Sequence, residues 1–516
     1  MANKGLFASA IARLLPAAES VNREQAPAYT YGPEHKLAQL AATGTLQDSF
    51  YGAAENQLAD VLAAAKAVDP LFVAKAAIYA RRRGAMKDMP ALLTAWLTLA
   101  DPDLAVSVFG RVIDNGRMLR NFVQIMRSGV VGRSSLGTRP KRLVQQWLER
   151  ASIRTLMHAA TGKDPSLADI VRMVHPKPAD EGRRAFYAWL IGKPYDVDQL
   201  PAEIAAFEAW KRCPEGPLPD VPFEWLTAFD LTAAHWAELA GRMGWQALRM
   251  NLNTLARQGA FAVEGCAEQV AARLSDAAEI ARARVLPYQL MVALGTAGDG
   301  MPLVVQAALE QALETSLASV PALPGRVVVC PDVSGSMSAP VTGYRKGASS
   351  KVRCIDVGAL VAAAVLRRNR DALLLPFEQK VVPITLDPFA RVAVNAASLA
   401  AVGGGGTNVS APLALLNRDR EEADLVVIVS DNESWVDATR HGATATMREW
   451  ERLKNRCRGA KLVCIDLQPY GTTQAKARKD ILNVGGFSDA VFETLARFAS
   501  GAAESDWVGE INAMEV

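Results

Sequence analysis

The chain has 516 residues, more than one hydrophobic core usually serves, so we expect at least two domains. Half of the residues are hydrophobic and 22% are charged, which is typical of a soluble globular protein and excludes wholesale disorder. No apolar run approaches the ~20 residues of a membrane-spanning helix, and charged residues interrupt the N-terminal stretch too early for a secretory signal. The six cysteines are scattered, without the spacing of a disulfide framework or a zinc site, which favours a reducing cytoplasm.

The net charge of +3 conceals an uneven distribution of charge along the chain. Residues 101–150 carry nine bases and four acids, a balance of +5, whereas residues 201–300 carry eight bases and twelve acids, a balance of −4. A basic segment of this kind favours an anionic partner, with nucleic acid as the first candidate. A solvated helix face would give the same pattern, so charge alone leaves both interpretations open.

Roughly the first 320 residues show the patterns of successive helices. Residues 58–65 place apolar side chains at i, i+3, i+4 and i+7, which predicts one buried face of an amphipathic helix. Asp-Pro pairs at 69–70, 101–102 and 164–165 each precede an apolar stretch, where Asp can cap a helix and Pro fits its first turn. The two intervals between successive pairs are close to the lengths of one unit and of two units of a repeat built from paired helices. We therefore predict an all-helical solenoid.

The pattern changes at two prolines and a glycine within residues 321–325, and we place the helical domain at 1–322 and a second domain at 326–516. Apolar runs typical of buried strands lie at 326–330, 372–377, 425–429 and 461–467, and helical patterns lie at 357–367, 413–416, 447–453 and 490–498. Continuous apolar strands separated by amphipathic helices predict a doubly wound parallel sheet with helices on both faces. Ligands of such sheets bind beyond the carboxyl ends of the strands.

Three polar loops follow predicted strands or lie between them. They are Asp332-Val333-Ser334-Gly335-Ser336, the four glycines 403–406 with Thr407, and Ser430-Asp431-Asn432-Glu433-Ser434. Their carboxylates and hydroxyls are hard oxygen ligands that suit Mg²⁺ or Mn²⁺. The alternate spacing lets Asp332, Ser334 and Ser336 turn toward one centre, and the glycines permit a close approach of the backbone beside Thr407.

These loops resemble the metal-ion-dependent adhesion site of von Willebrand factor A (vWA) domains, in which DxSxS, a threonine and an aspartate lie on separate loops. The matching residues are Asp332, Ser334, Ser336, Thr407 and Asp431. The resemblance implies that the hydroxyls contact a divalent cation directly or through water, and that the aspartates often act through water. It also implies an open coordination position for a partner's carboxylate. A vestigial site, whose loops hydrogen-bond among themselves, is the alternative.

Signatures of catalysis are missing from the sequence. There is no GxxxxGK[ST] phosphate loop and no HExxH, and Ser334 lies outside a GxSxG elbow. We therefore predict a binding protein rather than an enzyme.

A helical half followed by a vWA-like domain resembles the Ro autoantigen, or TROVE-domain, family in its bacterial form. The motifs that carry the resemblance are residues 132–141, 174–178, 245–252 and 284–288, and the closing Gly485-Gly486-Phe487 with Phe498. The resemblance implies HEAT-like helix pairs that close into a ring through contact with the vWA domain. It further implies binding of small Y RNAs on an outer basic surface and of single-stranded ends of misfolded RNA in a central hole. A role in RNA processing, with an exoribonuclease such as polynucleotide phosphorylase tethered through RNA, is also implied.

Basic residues of the helical half are the candidate RNA contacts, because they can meet phosphates with little sequence preference. With one histidine that could stack on a base, they are Arg81, Arg82, Arg83, Lys87, Arg120, Arg127, Arg133, Arg139, Lys141, Arg142, Arg172, His175, Lys177 and Arg249. Residues 81–83 could equally neutralise carbonyls at a helix C-terminus. His175 could have a structural role instead, and for Trp245 we favour packing over RNA contact. The chain lacks a lysine-rich arm, so the extent of Y-RNA binding is open. The competing hypothesis is a metal-dependent protein-interaction module without RNA.

Overall fold

The structure is a computed structural model, which describes residues 15–44, 46–49, 53–214, 216–283, 285, 287–298, 300–317, 320–344, 352–436, 442–485, 490–501 and 507–516. Parts of two predicted family motifs, Arg284 with Leu286 and Gly486-Phe487, lie outside the described residues.

Helices make up most of the chain before Leu317, after two short strands. The elements in order are β1 (Ser20–Val21), β2 (Pro27–Thr30), α1 (Pro33–Thr43), α2 (Ala54–Lys66), α3 (Pro70–Arg82), α4 (Asp88–Ala100), α5 (Pro102–Val112), α6 (Gly116–Ser128), α7 (Thr138–Arg150), α8 (Ile153–Ala159), α9 (Leu167–Val174), α10 (Glu181–Leu190), α11 (Ala202–Trp210), α12 (Phe223–Leu226), α13 (Ala233–Arg242), α14 (Trp245–Arg257), α15 (Cys266–Ser275), α16 (Ala277–Ala283), α17 (Pro287–Gly295) and α18 (Leu303–Leu317). Neighbours pack closely along the stack, for example α3 on α4, α4 on α5, and α15 on α18.

Two of the three Asp-Pro pairs begin helices as expected. The Asp69 carboxylate accepts a hydrogen bond from the amide of Leu71 at the start of α3, and Asp101 caps α5 in the same way. The third expectation is wrong, because α9 begins beyond the Asp164-Pro165 pair. Ser166 caps this helix in a reciprocal capping box with Asp169, which satisfies the first free amides without the preceding aspartate.

The prediction of an all-helical first region is wrong for residues 20–30. Strand β1 pairs with β2 in antiparallel register, and β2 pairs with a strand of the second domain, with Tyr29 opposite Thr473. A strand of four residues whose partner lies more than four hundred residues away leaves no local periodicity to detect.

The second domain is a parallel sheet between two layers of helices. Its elements are β3 (Val327–Pro331), α19 (Cys354–Arg368), β4 (Leu373–Leu374), α20 (Val392–Ala400), α21 (Ala411–Arg418), β5 (Leu425–Ser430), α22 (Ala445–Arg456), β6 (Lys461–Asp466), β7 (Thr472–Thr473), β8 (Ile481–Gly485), α23 (Ala490–Ala499) and α24 (Trp507–Asn512). The strand order is β4-β3-β5-β6-β8, and all the neighbouring strands of this sheet run parallel. Such a sheet needs cover on both faces.

Alternate residues of the central strands enter two different cores, so both faces of the sheet are covered. Val427 and Val429 join a core that includes α19 and continues through the helical region. Val426 and Ile428 face the opposite core, where α21 and α22 supply Leu413, Met447 and other apolar side chains. The doubly wound fold predicted from the sequence is confirmed.

The helical stack contacts the second domain at both of its ends. Near the chain's start, α1 packs on β8 and α24, and α3 packs on α24. At the stack's other end, α17 packs on α19 and α18 packs on α20. The stack and the domain therefore close into a ring, as the family resemblance implies.

Trp507 lies at the first of these two junctions. Its buried indole packs edge-on against the ring of His35 and contacts Tyr79, so that α24 is fixed on α1 and α3. His35 also reaches the domain directly, since its Nε2 lies 3.0 Å from the carbonyl oxygen of Asn483.

Two further expectations concern the whole chain. No helix in the part of the chain that the structure describes combines the length and apolar character needed to cross a bilayer. All six cysteines lie in the described ranges, and each carries a free thiol.

Candidate functional site

The first polar loop begins where β3 reaches the carboxyl edge of the sheet. The Asp332 amide donates to the carbonyl oxygen of Val429 at 2.8 Å, and the Val333 amide donates to that of Phe377 at 2.8 Å. These bonds extend the sheet beyond β3 and fix Asp332 between the neighbouring strand ends. The residues that follow leave the sheet as a tight turn.

Within this loop, one carboxylate organises the hydroxyls. Asp332 Oδ1 accepts from the amide of Ser334 at 2.9 Å, and Asp332 Oδ2 accepts from the hydroxyl of Ser430 at 2.6 Å. The hydroxyl oxygens of Ser334 and Ser336 lie 3.3 Å apart. All of these residues are buried, so the loop holds its oxygens together away from bulk water.

The glycine loop packs directly on the DxSxS loop. The Gly404 amide donates to the carbonyl oxygen of Val333, and the Gly335 amide donates to that of Gly405, each at 2.8 Å. Gly403 has a left-handed φ of 91°, and a Cβ there would overlap the carbonyl oxygen of Val333. The glycine run is therefore required by the close approach of two backbones.

The glycine loop delivers Thr407 to the third loop. The carbonyl oxygen of Thr407 accepts from the amide of Trp435 at 3.3 Å and lies 3.5 Å from the hydroxyl of Ser434. In the third loop, Asp431 Oδ1 accepts from the amide of Glu433 at 3.2 Å. The structure thus brings together all five residues expected at the adhesion-type site, on three interlocked loops.

The buried carboxylates of this site have strongly perturbed acidity. Burial, followed by the charge of Asp431, raises the pKa of Asp332 to about 7. Burial also raises the pKa of Asp431, while the Ser336 hydroxyl acts in the opposite direction. Glu433 shows the same effect, because burial and the neighbouring Asp431 raise its pKa to about 8.

The chemistry of these side chains fits a hard divalent cation. Buried carboxylates that repel one another are stabilised in the ionised form by a positive charge between them, and two serine hydroxyls and a threonine hydroxyl add neutral oxygen ligands. Across the described ranges, no group of three or more His, Cys, Asp or Glu side chains could hold a metal ion. The adhesion-type set depends instead on two carboxylates supplemented by hydroxyls.

Sequence reasoning missed Glu378 and Trp435 at this site, and it named Ser430 without its role. Ser430 anchors Asp332 through its hydroxyl, and Glu378 Oε2 accepts from the amide of Gly405 at 2.6 Å. Trp435 is exposed beside Gly406 at the rim. Both polar residues immediately follow or end a predicted strand, which is the signal that could have singled them out.

Three of the predicted RNA contacts are committed to contacts within the protein. Arg81 forms a two-point ion pair with Asp114 at 2.8 and 3.0 Å. Arg120 donates to the carbonyl oxygen of Ala159 at 2.6 Å, and Arg249 donates to that of Gln289 at 3.0 Å. Burial lowers the pKa of both Arg120 and Arg249, in keeping with structural roles.

Other predicted contacts lie in surface ion pairs or near the start or end of a helix. The pairs are Arg83 with Glu493, Arg139 with Asp103, and Arg172 with Asp169, at 3.5, 3.2 and 3.5 Å. Lys87 is exposed at the start of α4, Arg133 is half-buried before α7, and Arg82 is exposed at the end of α3. Exposed pairs of this kind contribute little to stability, so their bases can change partners.

The remaining predicted contacts lie on α6, on α7, and at and just beyond the end of α9. Helices α6 and α7 both pack on α9, and Gln145 on α7 donates to the carbonyl oxygen of Val174, the last residue of α9, at 2.6 Å. Lys141 and Arg142 precede Gln145 by four and three residues, and residues at that spacing share a helix face. The bond therefore places these two bases of α7 beside the end of α9. We call this group the basic surface, which comprises Arg127, Lys141, Arg142, His175 and Lys177.

His175 occupies a defined position on the basic surface. It caps the C-terminus of α9 with a left-handed φ of 50°, and its amide donates to the carbonyl oxygen of Val171. Its side chain is exposed. Trp245, by contrast, is buried, and its indole N–H donates to the carbonyl oxygen of Arg273 at 3.1 Å, as expected for a packing residue.

The fold and these loops define the class of the second domain. Residues 326–499 match the family model described as the Ro60 vWA domain. This part of the chain therefore has the fold of a von Willebrand factor A domain and is similar to that of Ro60.

The likeness extends beyond that domain. Over 510 aligned residues, which cover 92% of this chain and 94% of its relative, the sequence is 25% identical to the RNA-binding protein RO60 of Deinococcus radiodurans. The crystal structure of the Deinococcus radiodurans RO (RSR) protein matches with a TM-score of 0.61 at 22% identity, covering 91% of this chain and 100% of that chain. The second likeness shows a shared fold, and the predicted resemblance to the bacterial Ro family is confirmed.

Proposed function

We propose that this chain is an Ro-like RNA-binding protein of the cytoplasm. It holds a small structured RNA, such as a Y-like RNA, on the outer face of its helical ring, and takes single-stranded ends of misfolded RNA into the ring. The observation that carries the proposal is the basic surface, whose four cations and exposed histidine lie on α6, on α7, and at and just beyond the end of α9, the helix on which α6 and α7 both pack. A relative of nearly the same length, named as an RNA-binding protein, supports the same function.

The basic surface has the properties that contact with phosphates requires. Arg127, Arg142 and Lys177 are exposed, and within the described chain none of the three forms an ion pair with an acid. Phosphate contacts by such side chains give affinity with little sequence preference. The exposed imidazole of His175 adds a flat ring on which an unpaired base can stack.

We propose a scaffold role rather than a catalytic one. Closure of the helical stack on the vWA domain supports a ring through which a single strand passes, and an exoribonuclease such as polynucleotide phosphorylase would be tethered through the shared RNA. The ring would then act in RNA quality control by presenting defective ends to the nuclease.

The test measures affinity for a structured RNA with and without a single-stranded tail, over a range of salt concentrations. We expect tighter binding of the tailed RNA and an affinity that falls steeply with salt, because counterions are released from the phosphates. Absent binding, or binding insensitive to salt, would contradict the proposal.

A second function is favoured by the adhesion-type site. We propose that Asp332, Ser334, Ser336, Thr407 and Asp431 hold a divalent cation, with Mg²⁺ preferred over Mn²⁺. When bound, the cation offers a Lewis-acidic position for a carboxylate of a protein partner. The chain's own residues set the site up, because Ser430 orients Asp332 and the glycine loop holds Thr407 against the third loop.

Pull-downs after RNase treatment, in Mg²⁺ and in EDTA, separate the two functions. Capture of a partner in Mg²⁺ that is lost in EDTA supports the protein-binding function. Capture that is unchanged by EDTA argues against a role for the cation.

A further inference from the structure

The N-terminal segment, which we define as residues 15–30, lies against the vWA domain although it precedes the helical stack in the chain. Strand β2 pairs with β7, and the amide of Ala18 donates to the carbonyl oxygen of Gly442 at 2.9 Å. The side chain of Tyr29 is fully buried in the core that α21 and α22 cover. The segment therefore belongs to the helical half in sequence and to the vWA domain in space.

One buried side chain closes a tight turn within this segment. Asn22 Oδ1 accepts from the amide of Ala26 at 2.9 Å, and the Asn22 amide donates to the carbonyl oxygen of Ala26 at the same distance. Gln25, inside the turn, has a left-handed φ of 61°. Asn22 is only 4% exposed, and its Oδ1 is used within the turn, so its NH₂ group is left to bond another part of the chain.

The turn bonds directly to the third loop of the adhesion-type site. The NH₂ group of Asn22 donates to the carbonyl oxygen of Ser434, and the backbone amide of Arg23 donates to Glu433 Oε2 at 2.7 Å. Ser434 and Glu433 are both buried, so solvent does not readily replace a partner that either of them loses. Docking of the turn therefore fixes two consecutive residues of the third loop.

Those two residues also contact the predicted cation ligands. The Glu433 amide donates to Asp431 Oδ1 at 3.2 Å, and the Ser434 hydroxyl lies 3.5 Å from the carbonyl oxygen of Thr407. A shift of the third loop away from the turn would move the backbone that orients Asp431. Asn22 is thus placed to act on the ligands through the third loop, as a positioning residue.

At its other end, the segment is continuous with a helix of the ring junction. Only Tyr31 and Gly32 separate β2 from α1, and α1 packs on β8 and α24 of the vWA domain as well as on α2 and α3. Arg23 and Lys36 also lie 3.9 Å from the same carboxylate, that of Asp60 on α2. The same short stretch of chain therefore connects the third loop to the place where the helical stack meets the domain.

We propose that the N-terminal segment couples cation binding at the adhesion-type site to closure of the ring, with Asn22 as the positioning residue of the third loop. This inference rests on the proposed cation-binding function of that site. The cation binds more tightly when the segment is docked, because docking fixes the loop that carries Asp431. By linkage, a bound cation stabilises the docked segment, and with it α1 at the junction, to the same extent.

The first test measures Mn²⁺ affinity of the full-length protein by calorimetry, after EDTA has removed bound metal. We expect Asn22→Ala to bind Mn²⁺ about 5–10-fold more weakly than the wild type, at the lower end of typical coupling between sites, with the number of ions per chain unchanged. Val21→Ala is the matched control, because Val21 is the preceding residue, its side chain is 51% exposed, and the substitution leaves the backbone bonds of the turn intact. Its affinity should equal that of the wild type.

Hydrogen exchange gives a readout that a purely structural role of Asn22 would not change. In the wild type, Mn²⁺ should slow exchange of the Arg23 and Ala26 amides and of the amides of α1. The protection should be absent in Asp332→Ala, which loses the cation, and in Asn22→Ala it should no longer reach α1.

The outcomes separate this proposal from the cation-binding function on which it rests. Equal Mn²⁺ affinity in folded Asn22→Ala and Val21→Ala would overturn the coupling and leave the cation site in place, as would exchange in the wild type that Mn²⁺ does not change. Absence of Mn²⁺ binding to the wild type would overturn both. Should Asn22→Ala fail to fold, exchange in the wild type and in Asp332→Ala decides the question without it.

Discussion

Removing charge from the basic surface should change the salt dependence of RNA binding more than any other property. The triple variant Lys141→Gln, Arg142→Gln and Lys177→Gln leaves one of the four cations, Arg127. For single-stranded RNA each phosphate contact contributes a slope of about −0.7 to log affinity against log salt. Four contacts give a slope of about −2.8, and one contact gives about −0.7.

These slopes predict clearly different affinities. Between about 50 and 200 mM salt, a slope of −2.8 lowers the wild-type affinity roughly fifty-fold, whereas the triple variant loses roughly threefold. Fluorescence anisotropy with a labelled single-stranded RNA measures both slopes directly. The side chains replaced are exposed or half-buried and the glutamines are polar, so the fold and its thermal stability should be retained.

A matched control separates local contacts from net charge. Arg420→Gln, Arg458→Gln and Lys479→Gln remove the same number of charges from exposed positions of the vWA domain. This control should keep a slope close to that of the wild type. If the two triple variants show the same slope, the basic surface is not where the RNA lies and the proposed function loses its main support.

The remaining predictions concern the adhesion-type site and the ring closure. Asp332→Ala should abolish divalent-ion binding there, as measured by calorimetry, and leave RNA affinity largely intact. In the wild type, ion affinity should rise about tenfold from pH 6 to pH 8, because the Asp332 carboxyl, with a pKa of about 7, must lose its proton to bind. Gly403→Ala should destabilise the domain by about 1–3 kcal/mol in denaturant unfolding, since alanine strains the left-handed φ and overlaps Val333. Trp507→Ala should cost about 3–5 kcal/mol by leaving a cavity at the junction.

Each of these predictions has an internal comparison. Gly459→Ala is the control for Gly403, because a Cβ at residue 459 meets no atom within 4 Å. Trp435→Ala is the control for Trp507, since its indole is 44% exposed.

A large loss of RNA affinity in folded Asp332→Ala would contradict the independence of the RNA-binding surface and the adhesion-type site. An ion affinity that is flat or falls with rising pH would contradict a role for the Asp332 carboxylate. Gly403→Ala or Trp507→Ala as stable as its control would refute the packing arguments.

The vWA domain was predictable because its signals are local. The apolar run at residues 425–429 is long enough to fill both faces of a buried strand, and the structure has β5 at Leu425–Ser430. The DxSxS motif alone is a weak signal, because short polar turns are common, and the position of three polar loops after predicted strands is what indicated that they meet. At the edge of the sheet, β4 itself spans Leu373–Leu374, but the amides of Leu375 and Phe377 still donate to Val329 and Pro331, so the pairing with β3 extends to the end of the strand predicted across 372–377.

The proximity of the three polar loops was predictable, but their surroundings were not. Ser430 stands next to Asp431 in the sequence, yet its role depends on a hydrogen bond to Asp332, ninety-eight positions earlier. The surroundings of Glu433 and Asp466 were still less predictable from the sequence. Their common surroundings arise from the register between β5 and β6 and from the N-terminal segment, which no local pattern encodes.

The arginines of the helical half show why charge counting stops short of a binding surface. Arg81 and Arg82 are adjacent in sequence, yet Arg81 is held by Asp114 while Arg82 is exposed. The difference arises because neighbours on a helix point about 100° apart, so one faces the next helix and the other faces solvent. Only the packing of α6 and α7 on α9 decides which bases converge, and packing depends on contacts between helices. A basic segment therefore favours an anionic partner without requiring one, and the tertiary structure determines which of its bases lie close enough together to bind it.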